Sequence, residues 1–157
     1  MKKLILLIIA ALLAAATITE AGAALSDDDY PPEPEPEINR YASIAVTDAD
    51  IKLMAQLVYR EARGECFEGQ VAVVEVVLNR VLCDRFPNTV KKVITQKSQF
   101  AGRLRTAKPS ETQYAAVYEA LTETEYYTTL DTVYFATTAR RGKVVSARIG
   151  HHVFCEV

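Results

Sequence analysis

The residues best suited to chemistry lie close together, between positions 59 and 65, where the sequence reads Tyr-Arg-Glu-Ala-Arg-Gly-Glu. Within this run, Glu61 follows Val58 by three residues and Met54 by seven, so on a helix it shares or borders their apolar stripe. A carboxyl group in that position is expected to be partly desolvated, which favours its protonated form. A general acid needs this form near neutral pH. The alternative is a solvated helix end whose charged side chains exchange salt bridges.

A second carboxyl group is harder to assign. Cleavage of a glycosidic bond, one reaction open to a general acid, usually employs two carboxyl groups. Glu65 follows Glu61 by one helical turn, although Gly64 leaves their separation open. Glu75 has valines on both sides and is a further candidate, but together with Asn79 it more readily marks an exposed polar stripe. The sequence therefore indicates one candidate acid rather than a pair.

The cysteines and histidines allow two other chemistries, both with weaker patterns. Cys66 could act as a nucleophile with His151 or His152 as its base, and the two histidines with Cys155 could bind a metal. A second pair of ligands at zinc-finger spacing is missing, so we expect no metal and no cofactor. With Cys83, the cysteine count is odd, which permits one disulfide with one free thiol, or three free thiols.

The N-terminal region is predicted to direct export and then to act as a spacer. Residues 1–23 have the pattern of a signal peptide, because Lys2 and Lys3 precede an apolar run over residues 4–16 and small residues follow. That run is shorter than a membrane-spanning helix, although an uncleaved anchor is the alternative. Residues 24–45 are rich in Pro, Glu and Asp and predict an extended, solvated linker. We therefore expect an exported protein, located outside the cell or in the cell wall or envelope.

The charge balance argues against a nucleic-acid partner. The full chain has a formal net charge of −2, and loss of residues 1–23 removes two lysines and one glutamate, which leaves −3. Nucleic-acid binding calls for a basic face to contact phosphates. After removal of the signal segment we expect no stable membrane-spanning helix. The expected oligomeric state is a monomer.

Residues 46–157 are predicted to form the folded domain, and its first part is helical. Thr47 begins a helix with a capping-box-like pattern. The valine-rich segment 69–82 predicts a second, largely buried helix because of its length and polar stripe. Further helices are predicted to start at Thr89 and at Ser110.

The last part of the domain predicts a small antiparallel sheet. Residues 132–136 and residues 144–154 are rich in β-branched and aromatic side chains. Residues 140–143, which read Arg-Arg-Gly-Lys, separate them as in a hairpin. The expected fold class is therefore α+β, mainly helical with a small antiparallel β-sheet.

The folded part contains six short motifs. They are Leu57-Val-Tyr-x-Glu-Ala-Arg-Gly-Glu65, Glu68-Gly-Gln-x-Ala-Val, Val77-Leu-Asn-Arg-Val81, Phe86-Pro-Asn-Thr89, Gln99-Phe100 and Ile149-Gly-x-His-Val-Phe154. In these motifs and in their order, roughly residues 48–157 resemble the catalytic domain of the SleB/CwlJ-type cell wall hydrolases.

The resemblance implies a lysozyme-like fold and cleavage between N-acetylmuramic acid and N-acetylglucosamine in peptidoglycan glycan strands. It places the catalytic acid on Glu61. Lytic transglycosylases of this family use one carboxyl group, because the 6-hydroxyl of muramic acid attacks its own anomeric carbon and the intramolecular reaction gains effective molarity. A hydrolytic muramidase, or a wall-binding or germination accessory protein without catalysis, is the alternative.

Five further residues are predicted to contact substrate, namely Gln99, Phe100, Tyr134, His152 and Glu65. Gln99, Phe100 and His152 match family motifs, and Phe135 is the alternative to Tyr134 as a stacking face for a sugar ring. For Tyr134, packing in the core is an equally good interpretation. For His152, a purely structural role is also consistent with the sequence. The sequence departs from the family pattern at His151, where asparagine is usual, and contains no tryptophan. The segment between residues 135 and 149 is also short, which affects the details of the glycan subsites.

Overall fold

The computed structural model describes residues 37–96 and 104–157. Within them the chain forms four α-helices, a 3₁₀ turn and three strands. In chain order these are α1 (Asp48–Glu61), α2 (Phe67–Leu82), α3 (Val90–Thr95), the 3₁₀ turn (Leu104–Thr106), α4 (Glu111–Thr122), β1 (Thr132–Ala136), β2 (Val145–Ile149) and β3 (His152–Glu156). The predicted α+β class is confirmed. The predicted signal segment, most of the predicted linker, and Gln99 and Phe100 lie outside the described residues.

The helix starts follow the predicted capping patterns. At the start of α1, the Thr47 hydroxyl accepts a hydrogen bond from the Asp50 N–H at 3.2 Å, and the Asp50 carboxylate accepts one from the Thr47 N–H at 3.1 Å. At the start of α4, the Gln113 side-chain oxygen accepts a hydrogen bond from the Ser110 N–H at 2.9 Å. At the start of α3, the Thr89 hydroxyl accepts one from the Lys92 N–H. These pairs satisfy backbone donors that have no partner inside the helix, which fixes where each helix begins.

Helix α2 is the central element, and it is buried on all sides from Gly69 to Arg80. It packs against α1, α3, α4 and β1. Valine is a modest helix former, but burial of each methyl-bearing side chain stabilises the fold by about 1 kcal/mol or more, which outweighs the propensity. The predicted exposed stripe is wrong, because Glu75 and Asn79 are both fully buried. Each of them contacts residues from segments distant in the sequence, and the polar pattern of one helix does not predict such contacts.

The Glu75 carboxylate is held by the loop that precedes the sheet and by the segment before α1. It accepts hydrogen bonds from the Tyr127 N–H at 3.0 Å and from the Thr128 hydroxyl at 2.5 Å, and its Oε2 lies 3.5 Å from Nη2 of Arg40. Burial raises the pKa of Glu75, and the hydrogen bonds and Arg40 offset part of that effect. Glu75 is therefore a structural carboxylate with all its partners inside the fold.

Asn79 joins the same two segments to α2. Its side-chain amide donates to the carbonyl oxygens of Thr129 at 2.9 Å and Thr132 at 2.8 Å, and its Oδ1 accepts from the hydroxyl of Tyr41 at 2.8 Å. Tyr41 is 2 % exposed. Residues 39–41, assigned to the linker on sequence grounds, thus pack against the helical core.

The three strands form an antiparallel sheet in the order β1-β3-β2. The predicted hairpin across residues 140–143 is wrong, since β1 pairs with β3, at Phe135–Phe154 and Ala136–Val153, and β3 lies between β1 and β2. The run 144–154 is instead two strands joined by a tight turn at Gly150, whose φ of +57° is readily adopted by glycine. None of the helices in the described part of the chain is long and apolar enough to cross a membrane.

Candidate active site

The connection between α1 and α2 carries the candidate catalytic residue. Helix α1 ends at Glu61, the Ala62 N–H donates to the Val58 carbonyl at 2.8 Å, and the Glu65 N–H donates to the Ala62 carbonyl at 3.0 Å. These bonds form a compact turn before Cys66, the N-cap of α2. The backbone on both sides of Glu61 is therefore fixed by hydrogen bonds.

The expected partial burial of Glu61 is wrong, because its side chain is exposed. Ala62 lies four residues after Val58 and seven after Ala55, and it continues their buried stripe with 2 % exposure. Glu61 therefore lies at the edge of the stripe and faces solvent. Among the described residues, its carboxylate forms no hydrogen bond or ion pair, so it is accessible to a ligand.

Glu65 is held by the turn between β2 and β3. Its carboxylate accepts a hydrogen bond from the His151 N–H at 2.7 Å, and its Oε1 lies 3.2 Å from Nδ1 of the same residue. The side chain is 11 % exposed. The hydrogen bond from the His151 backbone lowers the pKa of Glu65, and the nearby imidazole of His152 adds to this effect. Its observed contacts position the connection, and its predicted contact with substrate stays a prediction.

Two glycines make room for this contact. A Cβ added to Gly150 would lie 2.2 Å from Oε2 of Glu65, far inside van der Waals distance. A Cβ added to Gly69 would lie 3.3 Å from the Cβ of Glu65 and 3.6 Å from Ile149. The close approach of α2, the Glu65 carboxylate and the β2–β3 turn therefore depends on residues without side chains.

A chain of buried amide groups ties the connection to α4. The side-chain amide of Gln70 donates to the Glu65 carbonyl at 3.1 Å, and the amide of Gln113 donates to Oε1 of Gln70 at 2.9 Å. Gln113 in turn accepts from the Ser110 N–H at 2.9 Å. The spacing of Ser110 and Gln113 in the sequence predicts only a helix cap, and the sequence indicates no role for Gln70. A lone glutamine in an otherwise apolar helix stretch was the signal that could have indicated it.

His152 lies in an aromatic cluster rather than on an open surface. Its ring centroid is 5.2 Å from that of Phe135 and 6.1 Å from that of Phe154, and the residue is 7 % exposed. Its Nδ1 has no hydrogen-bond partner among the described residues. The structure brings His152 close to Glu65, while its contact with substrate stays a prediction.

Tyr134 lies on β1, and cations cover its ring. Cζ of Arg140 is 4.3 Å and Nζ of Lys143 is 5.2 Å from the ring centroid. Stacking of a sugar on Tyr134 would require these side chains to move. Gln99 and Phe100, the two other predicted contacts, lie outside the described residues.

The other chemistries that the sequence leaves open are metal binding and a cysteine nucleophile. The described residues contain no group of three His, Cys, Asp or Glu residues that could hold a metal ion. Cys66, Cys83 and Cys155 are all free thiols. A cavity of about 290 Å³ lies at the C-terminal end of α2, next to Leu130 and Asp131, and Glu61 does not line it. Glu61 on the α1–α2 connection is therefore the best candidate for chemistry.

Comparison with known proteins agrees with the resemblance seen in the sequence. A family model described as cell wall hydrolase matches residues 64–155. Glu65, Tyr134 and His152 fall inside that match, and Glu61 precedes it by three residues. A spore cortex-lytic enzyme of Bacillus subtilis is 41 % identical over 117 residues, and one of Halalkalibacterium halodurans is 40 % identical over 119 residues. These alignments cover 68 % and 69 % of this chain, but only 37 % and 35 % of the two relatives.

Solved structures give the same result for the fold. The catalytic domain of the Bacillus cereus SleB protein matches with a TM-score of 0.64 at 35 % identity, over 74 % of this chain and 97 % of that one. The catalytic domain of the germination-specific lytic transglycosylase SleB from Bacillus anthracis matches with a TM-score of 0.63 at 36 % identity, over 71 % and 98 % of the two chains. The expected lysozyme-like α+β fold is confirmed. The chain belongs to the cell wall hydrolase family.

Proposed function

We propose that this protein degrades peptidoglycan by cleaving the bond between N-acetylmuramic acid and N-acetylglucosamine, with Glu61 as the general acid. The observation that carries the proposal is the geometry of the α1–α2 connection, which presents the Glu61 carboxyl group to solvent on a fixed backbone. Family membership and the names of the similar enzymes support this substrate class. Glu65 and Glu75 are less suited to proton transfer to a ligand, because both are held by contacts within the fold.

We further propose that the reaction is a lytic transglycosylation. The Glu61 carboxyl group donates its proton to the glycosidic oxygen, and the bond from that oxygen to the muramic acid anomeric carbon breaks. The Glu61 carboxylate then accepts the proton of the muramic acid 6-hydroxyl, and the oxygen of that hydroxyl bonds to the anomeric carbon. The product has a 1,6-anhydro end, and no water is consumed. This mechanism needs one carboxyl group, and the name of the Bacillus anthracis relative supports it. Hydrolysis by a muramidase is the alternative.

The exposure of Glu61 indicates how the bound glycan participates. The described residues leave this carboxyl group in contact with water, whereas a glycan strand bound over it excludes water. We infer that substrate supplies the desolvation that the described residues do not. The predicted signal segment and the location of peptidoglycan support export of the protein to the cell wall or envelope. Its proposed partner there is the peptidoglycan glycan strand, of either the spore cortex or the vegetative wall.

The test compares Glu61→Gln with Glu68→Gln on purified sacculi. Glu68 is a matched control because its side chain is also exposed, on the first turn of α2. We expect Glu61→Gln to slow the loss of turbidity by on the order of 10²–10⁴-fold and Glu68→Gln to leave it near wild type. Equal rates for wild type and Glu61→Gln, with both folded by circular dichroism, would refute the assignment.

Product masses separate the remaining possibilities. Anhydro ends and reducing ends differ by the mass of one water, so mass spectrometry of the soluble fragments distinguishes the transglycosylase from the muramidase. Binding to sacculi without release of fragments, in wild type and both variants, would instead identify a non-catalytic wall-binding protein.

A further inference from the structure

The sheet and its loops form a basic region on a protein with a negative net charge. The segment from Thr132 to Cys155 contains no Asp or Glu, yet it contains four cationic residues, Arg140, Arg141, Lys143 and Arg148. The whole chain has a formal net charge of −2. Four of the 18 cationic residues of the chain therefore lie in a segment without an acidic residue, and the proposed proton transfer at Glu61 does not use them.

The turn between β1 and β2 places two of these cations over one aromatic ring. The Lys143 N–H donates to the Arg140 carbonyl at 3.1 Å, so the two side chains occupy the first and last positions of a turn. Gly142 in that turn has a φ of +74°, which glycine adopts without strain. Arg140 and Lys143 then lie 4.3 Å and 5.2 Å from the centroid of Tyr134.

A third cation approaches the same ring from α2. Cζ of Arg80 is 5.8 Å from the Tyr134 centroid, and its Nε donates to the Val133 carbonyl at 2.7 Å, which anchors this 3 % exposed side chain. Arg80, Tyr134, Arg140 and Lys143 are called the basic cluster below. Burial lowers the pKa of Arg80 to about 10, and repulsion from the charge of Arg140 lowers it further.

In the described part of the chain, no carboxylate balances the two cations of the β1–β2 turn. Neither Arg140 nor Lys143 forms an ion pair with any residue in the ranges 37–96 and 104–157. Cation–π contacts with Tyr134 offset part of the repulsion between the like charges. An anionic ligand would relieve the rest and would gain charge-assisted hydrogen bonds from several donors.

We propose that the basic cluster binds oxyanion groups of the cell wall polymer, carboxylate or phosphate, at a site separate from Glu61. The choice of polymer rests on the proposed function. Arg80 lies about 20 Å along α2 from the end that follows the Glu61–Glu65 connection, as the rise of an α-helix gives for the intervening residues. The enzyme therefore holds the polymer at two points, one at the bond to be cleaved and one at a charged group along the strand.

The test measures binding of the full-length protein to purified sacculi in a Glu61→Gln background, so that cleavage does not remove the ligand. The cluster variant is Arg140→Gln with Lys143→Gln, and the control is Lys91→Gln with Lys92→Gln, which removes two exposed cations from α3. We expect the cluster variant to weaken binding by on the order of three- to tenfold and the control to change it less than twofold. Added salt should reduce the difference, because it screens exposed charges.

A charge-neutral variant separates geometry from net charge. Gly142→Val strains the turn at φ +74° without removing a cation, and no other atom lies within 4 Å of the added Cβ. We expect it to weaken binding in the same direction as the cluster variant. Equal weakening by the cluster variant and the Lys91/Lys92 control, or wild-type binding by the cluster variant, would overturn the proposal.

Chemical treatment of the sacculi identifies the source of the anion. If carbodiimide amidation of the sacculi abolishes the difference between wild type and the cluster variant, the ligand is a carboxylate. If removal of phosphate polymers abolishes it, the ligand is a phosphate. A difference that survives both treatments, or that appears only with anionic lipid vesicles, contradicts an oxyanion of the wall polymer. Lysis of sacculi by Glu61→Gln would refute the proposed catalytic role, but the binding comparison would still test the basic cluster.

Discussion

Replacement of Gly150 by alanine tests whether the Glu65 carboxylate holds the β2–β3 turn against the α1–α2 connection. The added Cβ would lie 2.2 Å from Oε2 of Glu65, and the φ of +57° would also strain any L-residue. The strain costs about 1–2 kcal/mol. The carboxylate can rotate away, but it then loses its hydrogen bond from the His151 N–H, and a hydrogen bond to a charged group contributes about 1.5–3 kcal/mol. We therefore expect Gly150→Ala to lower the free energy of unfolding by about 2.5–5 kcal/mol.

A double-mutant cycle separates the two effects. In a Glu65→Ala background there is no carboxylate to displace, so Gly150→Ala should cost only the strain, about 1–2 kcal/mol. Urea unfolding followed by circular dichroism gives the four free energies. The control is Gly142→Ala, where φ is +74° and no other atom lies within 4 Å of the added Cβ. It should cost about 1–2 kcal/mol in both backgrounds.

Two outcomes would refute this reasoning. The first is an equal cost of Gly150→Ala in the presence and absence of the Glu65 carboxylate. The second concerns pH. The pKa of Glu65 is lowered from its ordinary value of 4.5, so its contribution is present above that value and is lost as pH falls through the folded-state pKa. The stability difference between wild type and Glu65→Ala must therefore shrink in acid, and a constant difference contradicts the contact.

The buried polar residues of α2 give two further predictions. Burial raises the pKa of Glu75, so the stability from this group is fully present below the ordinary value of 4.5 and is lost as pH rises through the folded-state pKa. Glu75→Gln should therefore show a shallower decline in unfolding free energy from acid to neutral pH than wild type, and parallel pH curves from urea unfolding would contradict this. Asn79→Ala leaves the carbonyl oxygens of Thr129 and Thr132 and the hydroxyl of Tyr41 without their buried partner. It should cost about 3 kcal/mol or more in the same assay, and a loss below about 1 kcal/mol would show that other groups replace the amide.

Features that depend on neighbouring residues could be predicted from the sequence. The cap at Thr47 depends on Asp50, three residues away, and the cap at Ser110 depends on Gln113 in the same way. Such pairs are visible in the sequence because both partners lie within one helical turn. Strand β1 was also predicted with its observed bounds, since a continuous β-prone run ends at both sides.

Features that depend on distant segments could not be predicted. Glu75 is buried because Arg40 and the loop at Thr128 come to it, from positions 35 and 53 residues away. The Glu65 carboxylate meets the His151 N–H across 86 residues. A helix pattern states which face is polar, but it does not state whether that face meets solvent or a buried set of donors. The strand order failed for a related reason, because the turn at Gly150 lies inside a run whose composition favours one strand.

The contacts around the α1–α2 connection explain why an exposed carboxylate can still be well positioned. The backbone from Ala62 to Glu65 is held by its own turn, by Gln70 and by the contact of Glu65 with the β2–β3 turn, and none of these contacts involves the Glu61 carboxylate. In the proposed mechanism, the part of this connection that a glycan must still order is the Glu61 side chain, at a cost of about 1–2 kcal/mol of rotamer entropy. The backbone that carries Glu61 already has a fixed position in the free protein. This position limits where the proton donor can reach. The proposed acid therefore depends on the fold for its position and on the substrate for its shelter from water.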